Sequence, residues 1–335
     1  MQHKKKYVVV KSNKGAGLGD NLCAVFAGIA VAVFYGRKLI VDWSDGSFGE
    51  LGVNTFPIFF ELSPLISSDL SISDLNSLNV NVHPPAWSGN LLQHSYELYL
   101  QQNWDTYQRA RTIEVLSSDP TYFNSDIDIL VITDFSRLPH NNSLMSLASL
   151  IARNIKPSQK IQDLLDKYIR LNLGVPYIGV HVRMTDEKGA REKQRKYSDY
   201  IKLLRRIKSN NISLSKIFLA TDNTTVIDSW KKDFPDLVFR QKAMPKPGDP
   251  LHLTEFAVPR FEVTIDAVLD MLILSKSTFL LFPDNSSFSL SSAMLSGLPS
   301  GNINAIPFRP TSSLAFRLIS RLKHLLLHLF QKVKV

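Results

Sequence analysis

Residues 177–189 read YIGVHVRMTDEKG, and this stretch decides the fold of the second half of the chain. Tyr177, Ile178, Gly179, Val180 and Val182 form a short apolar run of the kind that makes a buried strand. As the run ends, the chain delivers His181, Arg183, Thr185 and Asp186. Open parallel sheets bind ligands outside the carboxyl ends of their strands. A guanidinium at such an end suits a phosphate, because its planar fork holds two oxygens and never loses its charge. Arg183 is therefore the first candidate for a diphosphate clamp.

Downstream, Lys216 to Thr221 reads as a strand ending at Asp222, Val226 to Phe234 as a helix and Leu237 to Arg240 as a strand. Ala243 to Leu253 carries three prolines and Gly248 and reads as a loop lining a ligand site. Ile265 to Ser275 reads as a helix, Thr278 to Phe282 as a strand, and Ser286 to Leu295 as a helix opening on small hydroxyl residues. Upstream, Tyr7 to Val10 reads as a strand, Gly15, Gly17 and Gly19 punctuate the turn into a helix from about Asn21 to Tyr35, and Lys38 to Trp43 follows as a strand. A βαβ rhythm in both halves implies α/β domains with parallel sheets. The glycine pattern departs from the dinucleotide fingerprint at Asp20, so the turn fits tight helix packing as well as ligand contact.

A chain of 335 residues exceeds the usual single-domain size. The expected division is residues 1–172, 173–310 and a C-terminal helix over 311–335. Net charge +9, from 39 basic against 30 acidic side chains, points to an anionic partner. The very basic helix Tyr197 to Lys208 lacks aromatic interleaving and reads as a solvated face, so nucleic acid is not the expected partner. With Cys23 as its single cysteine, the chain can build no disulfide framework. The apolar run after Met1 to Lys6 is too short for a signal-peptide core. These features imply a cytoplasmic protein, attached at most peripherally to a membrane.

Asp126-Ile127-Asp128 has the spacing by which some glycosyltransferases hold a divalent ion, but such acids more commonly open a strand, here Asp128 to Thr133. His324 and His328 lie one helical turn apart without an evident third ligand. No metal is expected.

The central motif resembles that of the α1,6-fucosyltransferases, which include bacterial nodulation enzymes and animal core-fucosylation enzymes. Four other stretches agree in order. They are Gly17-Leu18-Gly19-Asp20-Asn21-Leu22, Asn54 to Glu61, Phe218-Leu219-Ala220-Thr221-Asp222-Asn223, and Val268-Leu269-Asp270 through Ser286-Ser287-Phe288-Ser289. The resemblance implies a GT-B architecture of two facing Rossmann-like domains, acceptor side first and donor side second. It also implies metal-independent inverting transfer of fucose from GDP-fucose, as donor substrate, to a glycan hydroxyl in polysaccharide biosynthesis.

By the same resemblance His181 lies against the nucleotide, Asp270 recognises the guanine edge, and Asp222, Ser286 and Ser287 belong to the donor site. The turn Gly17, Gly19, Asp20 and Asn21 faces the cleft. Met184 stands where many relatives have a second arginine, and Arg191 where the animal enzymes have a glutamate. Another nucleotide-sugar donor, or a weakly catalytic binding protein, remains an alternative. Asp186, Glu187 and Glu192 are all candidates for the general base.

The last segment, SLAFRLISRLKHLLLHLFQKVKV over residues 313–335, repeats apolar residues at helical spacing, while its other side carries basic residues and no acid. Such a helix suits an anionic membrane surface. Folding back onto the N-terminal domain is the competing expectation.

Overall fold

The computed structural model describes residues 5–95, 126–133, 144–174, 176–183, 190–211, 214, 216–246, 249, 251, 254–283, 286–296 and 302–306, with backbone alone for 144–148, 190–196 and 305. Asp186, Glu187, Met184, the histidines 324 and 328, and the whole segment 311–335 lie outside the described residues, as does the side chain of Glu192. Contacts divide the chain into one unit of Met1–Ile161 with Pro259–Thr264 and a second of Gln162–Val258 with Ile265–Val335.

In the first unit, strands β1 (Tyr7–Lys11) and β2 (Lys38–Asp42) are joined by helix α1 (Leu18–Phe34). After the short helix α2 (Phe56–Phe59) come β3 (Phe60–Leu62), helix α3 (Ile72–Asn76), β4 (Val82–His83) and β5 (Ile129–Ile132). Among the described residues the parallel sheet runs β2-β1-β5-β4. Alternation along β1 explains the packing. Tyr7 and Val9 join a core cluster with Leu75, Val82, Trp87, Ile129 and Val131. Val8 and Val10 face α1, which approaches so closely that a Cβ on Gly28 would lie 2.5 Å from Val10 Cγ2.

Helix α4 (Leu144–Asn154) leads into β6 (Ile155–Pro157), which pairs antiparallel with β3, a ribbon too short to leave a period in the sequence. Helix α5 (Gln159–Tyr168) continues into a π-turn at Ile169–Leu173.

The second unit holds β7 (Ile178–Val182), α6 (Ala190–Asn210), β8 (Ile217–Thr221), α7 (Thr224–Asp233) and β9 (Leu237–Val238). Helix α8 (Arg260–Ser275), which belongs to this unit from Ile265 onward, β10 (Phe279–Pro283), α9 (Ser287–Ser296) and β11 (Ile303–Ile306) follow. Its parallel sheet runs β11-β10-β7-β8-β9. Numbered from β7, that is the order 5-4-1-2-3, the mononucleotide-binding arrangement with the first strand at the centre.

Residue alternation along β7 assigns each of its faces. Ile178, Val180 and Val182 pack into a cluster with Tyr200, Leu204, Leu219, Val226 and Trp230. Gly179 and His181 face the other way. A Cβ on Gly179 would sit 2.7 Å from Ser277 Oγ, just beyond α8, so only glycine lets the helix end approach. Tyr177 fixes the same junction by donating its hydroxyl to the Ile273 carbonyl at 2.7 Å.

Candidate active site

β7 is the strand from which the second sheet grows in both directions, to β8 on one side and β10 on the other. The crevice beyond its carboxyl end is therefore a topological switch point, where open α/β sheets hold their ligands. Arg183 follows β7 directly and is half-buried. Two residues earlier, His181 is buried and its Nδ1 hydrogen-bonds Ser289 Oγ on α9, the helix that follows β10. The His181 ring also lies 5.0 Å, centroid to centroid, from Phe288. Tyr200 donates to the His181 carbonyl at 2.7 Å and ties α6 to the same strand end.

Burial lowers the His181 pKa from the model-peptide 6.5 to about 3, and the charges of Arg183 and Lys242 push the same way. His181 is thus a neutral imidazole at physiological pH. It can donate one hydrogen bond and accept one, and it adds no charge of its own.

Ser286 and Ser287, both buried, open α9 beside the switch point. Leu290 N–H donates to the Ser286 carbonyl at 3.0 Å, so Ser286 begins the helical ladder. Asp222 follows β8 at the same edge of the sheet, half-buried. The N-cap of α7 is not Asp222 but Asn223, whose Oδ1 accepts from Thr225 N at 2.9 Å.

Asp270 is almost wholly buried in α8, where a lone carboxylate would be costly. It is not alone. Lys242 hydrogen-bonds its Oδ2, and Arg240 Nη1 lies 3.6 Å from its Oδ1. Arg240 is itself held by Asp266, at 2.6 Å to Oδ1 and 2.8 Å to the carbonyl, and its guanidinium lies 5.7 Å over the Tyr168 ring. Burial raises the Tyr168 pKa to about 12, with Arg240 opposing the shift and Asp270 adding to it.

In the first unit, Gly17 caps α1 without a side-chain hydrogen bond, Gly19 is buried in the first turn, and Asp20 is part-exposed beside it. Asn21 is committed to the turn itself. Its Oδ1 accepts from Asn13 N at 2.8 Å and its Nδ2 donates to the Gly17 carbonyl at 3.1 Å and the Ala16 carbonyl at 3.2 Å. The Asp126-Ile127-Asp128 stretch is likewise structural at Asp128, whose Oδ2 accepts from Asn81 N at 3.0 Å. No group of three or more ligating side chains that could hold a metal ion occurs among the described residues.

The structure thus brings His181 and Arg183 to the end of β7, Ser286 and Ser287 to the start of α9 after the neighbouring β10, and Asp222 to the end of β8, and it holds Asp270 to a cation pair from the segment after β9. Lys242 and Arg240 escape a reading of residue patterns, and so does the contact of Ser289 with His181, although Ser289 closes a matched stretch. Ser289 is hidden in a run of small hydroxyl residues, and Lys242 lies in an irregular segment with no period.

Two α/β units with parallel sheets, the second carrying a cation-lined switch point, place the chain in the GT-B class of glycosyltransferase folds. A family model described as Nodulation protein Z (NodZ) matches residues 5–298, and the chain belongs to that family. The Nodulation protein Z of Azorhizobium caulinodans is 24% identical over 304 residues, which cover 84% of this chain and 87% of that protein. The crystal structure of NodZ alpha-1,6-fucosyltransferase soaked with GDP-fucose is similar at a TM-score of 0.62 and 23% identity, covering 88% of this chain and 94% of that one. That of POFUT1 in complex with GDP-fucose is similar at a TM-score of 0.51 and 11% identity, covering 92% and 98%.

Proposed function

We propose that the chain is an inverting fucosyltransferase that moves fucose from GDP-fucose to a hydroxyl of a glycan acceptor in polysaccharide biosynthesis. One observation carries this reading: Arg183 and the neutral, Ser289-bound His181 stand together at the switch point of a nucleotide-binding strand order. The family match and the GDP-fucose soaked into the NodZ crystal support the choice of donor.

In the proposed reaction the acceptor oxygen attacks C1 of fucose from the face opposite the diphosphate. The bond from C1 to the β-phosphate oxygen breaks, and its electron pair leaves with GDP. Arg183 meets the charge that grows on that oxygen, where fixed electrostatic partners contribute most. His181 borders the nucleotide as a neutral group, Asp222, Ser286 and Ser287 line the donor site, and Asp270 accepts from the guanine edge. The acceptor proton passes to a carboxylate of the segment after β7, with Asp186, Glu187 and Glu192 as candidates. No residue in this scheme requires a metal. Domain 1–172, with the turn Gly17, Gly19, Asp20 and Asn21, takes the acceptor side, and domain 173–310 the donor side.

The proposal extends to location. Among the described residues no helix is long and apolar enough to cross a membrane. The acid-free basic face and apolar stripe of residues 313–335 support peripheral attachment to an anionic cytoplasmic leaflet, where a lipid-linked glycan acceptor would be met.

The test is GDP release and fucose transfer from GDP-fucose, with Arg183→Ala beside the native chain. Loss of the diphosphate's cation is expected to cost about 10²-fold or more in turnover, as for other transition-state charge partners. Undiminished turnover in a folded Arg183→Ala chain would remove Arg183 from the mechanism. Turnover of UDP- or CDP-sugars in preference to GDP-fucose would replace the donor.

A further inference from the structure

Lys242 stands in an unusual electrostatic position. It comes from the irregular segment after β9, its side chain is only 9% exposed, and it ion-pairs with Asp270 Oδ2. Its charge is also one of the two that depress His181 at the end of β7. An ammonium has three donors, and Asp270 takes one of them. Lys242 is therefore in electrostatic touch with both the carboxylate proposed for the guanine edge and the strand end proposed for the diphosphate.

The same carboxylate cannot serve guanine unchanged, because the paired N1–H and 2-amino donors need both of its oxygens, while Lys242 stands on Oδ2 and the residue is almost wholly buried. Oδ1 accepts no hydrogen bond, and Arg240 reaches it only at 3.6 Å, since its closer contact goes to Asp266. Nor can Lys242 simply withdraw in an empty site, because a buried carboxylate stripped of its partner is strongly unfavourable. A ligand that brings N–H donors for Asp270 and an anion for the ammonium satisfies both groups in one step. A ligand that brings only one of the two strands the other ion.

We infer that Lys242 changes partner on donor binding, leaving Asp270 for a diphosphate oxygen as the N1–H and 2-amino donors of guanine take its place on the carboxylate. The inference rests on the GDP-sugar reading above. It makes Lys242 a specificity device, because base and diphosphate are each bound well only when the other is present. Linkage requires the effect to be reciprocal.

The native chain provides the first test. Guanosine is titrated calorimetrically with and without saturating inorganic pyrophosphate, and pyrophosphate is expected to tighten guanosine binding about tenfold, within the usual span of coupling between sites. In Lys242→Met the coupling should vanish, guanosine alone should bind more tightly than to the native chain, and GDP should bind about tenfold or more weakly, the worth of a charge-assisted hydrogen bond. Independent or competitive binding of the two halves to the native chain overturns the inference, whether or not the variant folds. Equal weakening of guanosine and GDP in Lys242→Met also overturns it, and would make Lys242 a structural counter-ion. If the native chain binds no GDP, the donor reading fails and takes this inference with it. GDP binding without coupling sinks the partner change alone.

Discussion

Replacing His181 by Asn should flatten the acid side of the stability profile. The native pKa of His181 is lowered to about 3, chiefly by burial, against 6.5 in the unfolded chain. Between those values the unfolded state binds the proton and the native state does not, so stability rises with pH. The contribution is fully present above about pH 6.5 and is lost as pH falls toward 3. Protonation of an unfolded histidine deepens the unfolded state by about 0.2 kcal/mol at pH 7 and about 2 kcal/mol at pH 5. The native chain should therefore lose about 2 kcal/mol more than His181→Asn between those two conditions. That figure holds for any native pKa below about 4, so it does not depend on the exact shift. Urea unfolding at pH 7 and pH 5, with amide exchange of β7 as a local readout, measures the difference directly. Other ionisable groups are common to both chains and cancel. Parallel pH profiles would show that His181 is protonated in the native state and refute the account of its burial.

Asp270→Asn keeps the shape of the side chain and removes its charge, so the preference for GDP over UDP and CDP in thermal shift should narrow, by about tenfold or more in affinity. An unchanged preference would move the guanine site elsewhere. Gly179→Ala should destabilise the second unit by about 1–3 kcal/mol, because the new Cβ meets Ser277 Oγ at 2.7 Å and Ser277 Cβ at 2.9 Å. Unaltered thermal stability would contradict that packing. Deleting residues 313–335 should release the chain from anionic liposomes while leaving its circular dichroism intact, and equal liposome binding or aggregation of the shortened chain would end the membrane proposal.

Much of the fold is legible because β8 and β10 are apolar runs, β7 is one broken only by His181, and the helices α6 and α7 keep a 3.6-residue period. The sequence order of strands does not carry their spatial order, however, and the placement of β7 between β8 and β10 makes the switch point. β11 (Ile303–Ile306) is too short and too close to proline to announce itself. Among site residues, Arg183 and His181 are readable from the end of an apolar run. Asp270 is readable as an acid among apolar neighbours, but its partners Arg240 and Lys242 lie about thirty positions earlier in a segment without periodicity. The glycine turn carries two readings in the sequence, ligand contact and helix packing. The structure adds that Asn21 holds the turn together by bonding its backbone through the side-chain amide, a role the pattern of glycines does not announce.

β7 explains why the cations and the neutral histidine occur together. Its even-numbered residues must be apolar to bury against α6 and α7, and its odd-numbered face must be small at Gly179 to admit the end of α8. One step further along that face, His181 can be polar because Ser289 satisfies it, and one step beyond the strand Arg183 reaches the edge of the sheet. A titrating imidazole so close to Arg183 and Lys242 would add a third positive charge in acid and remove it in base. Burial prevents this by holding His181 neutral beside the arginine. The imidazole therefore adds no pH-dependent charge to the field offered to a diphosphate. Any acid limb in the activity of this chain must then come from a group other than His181.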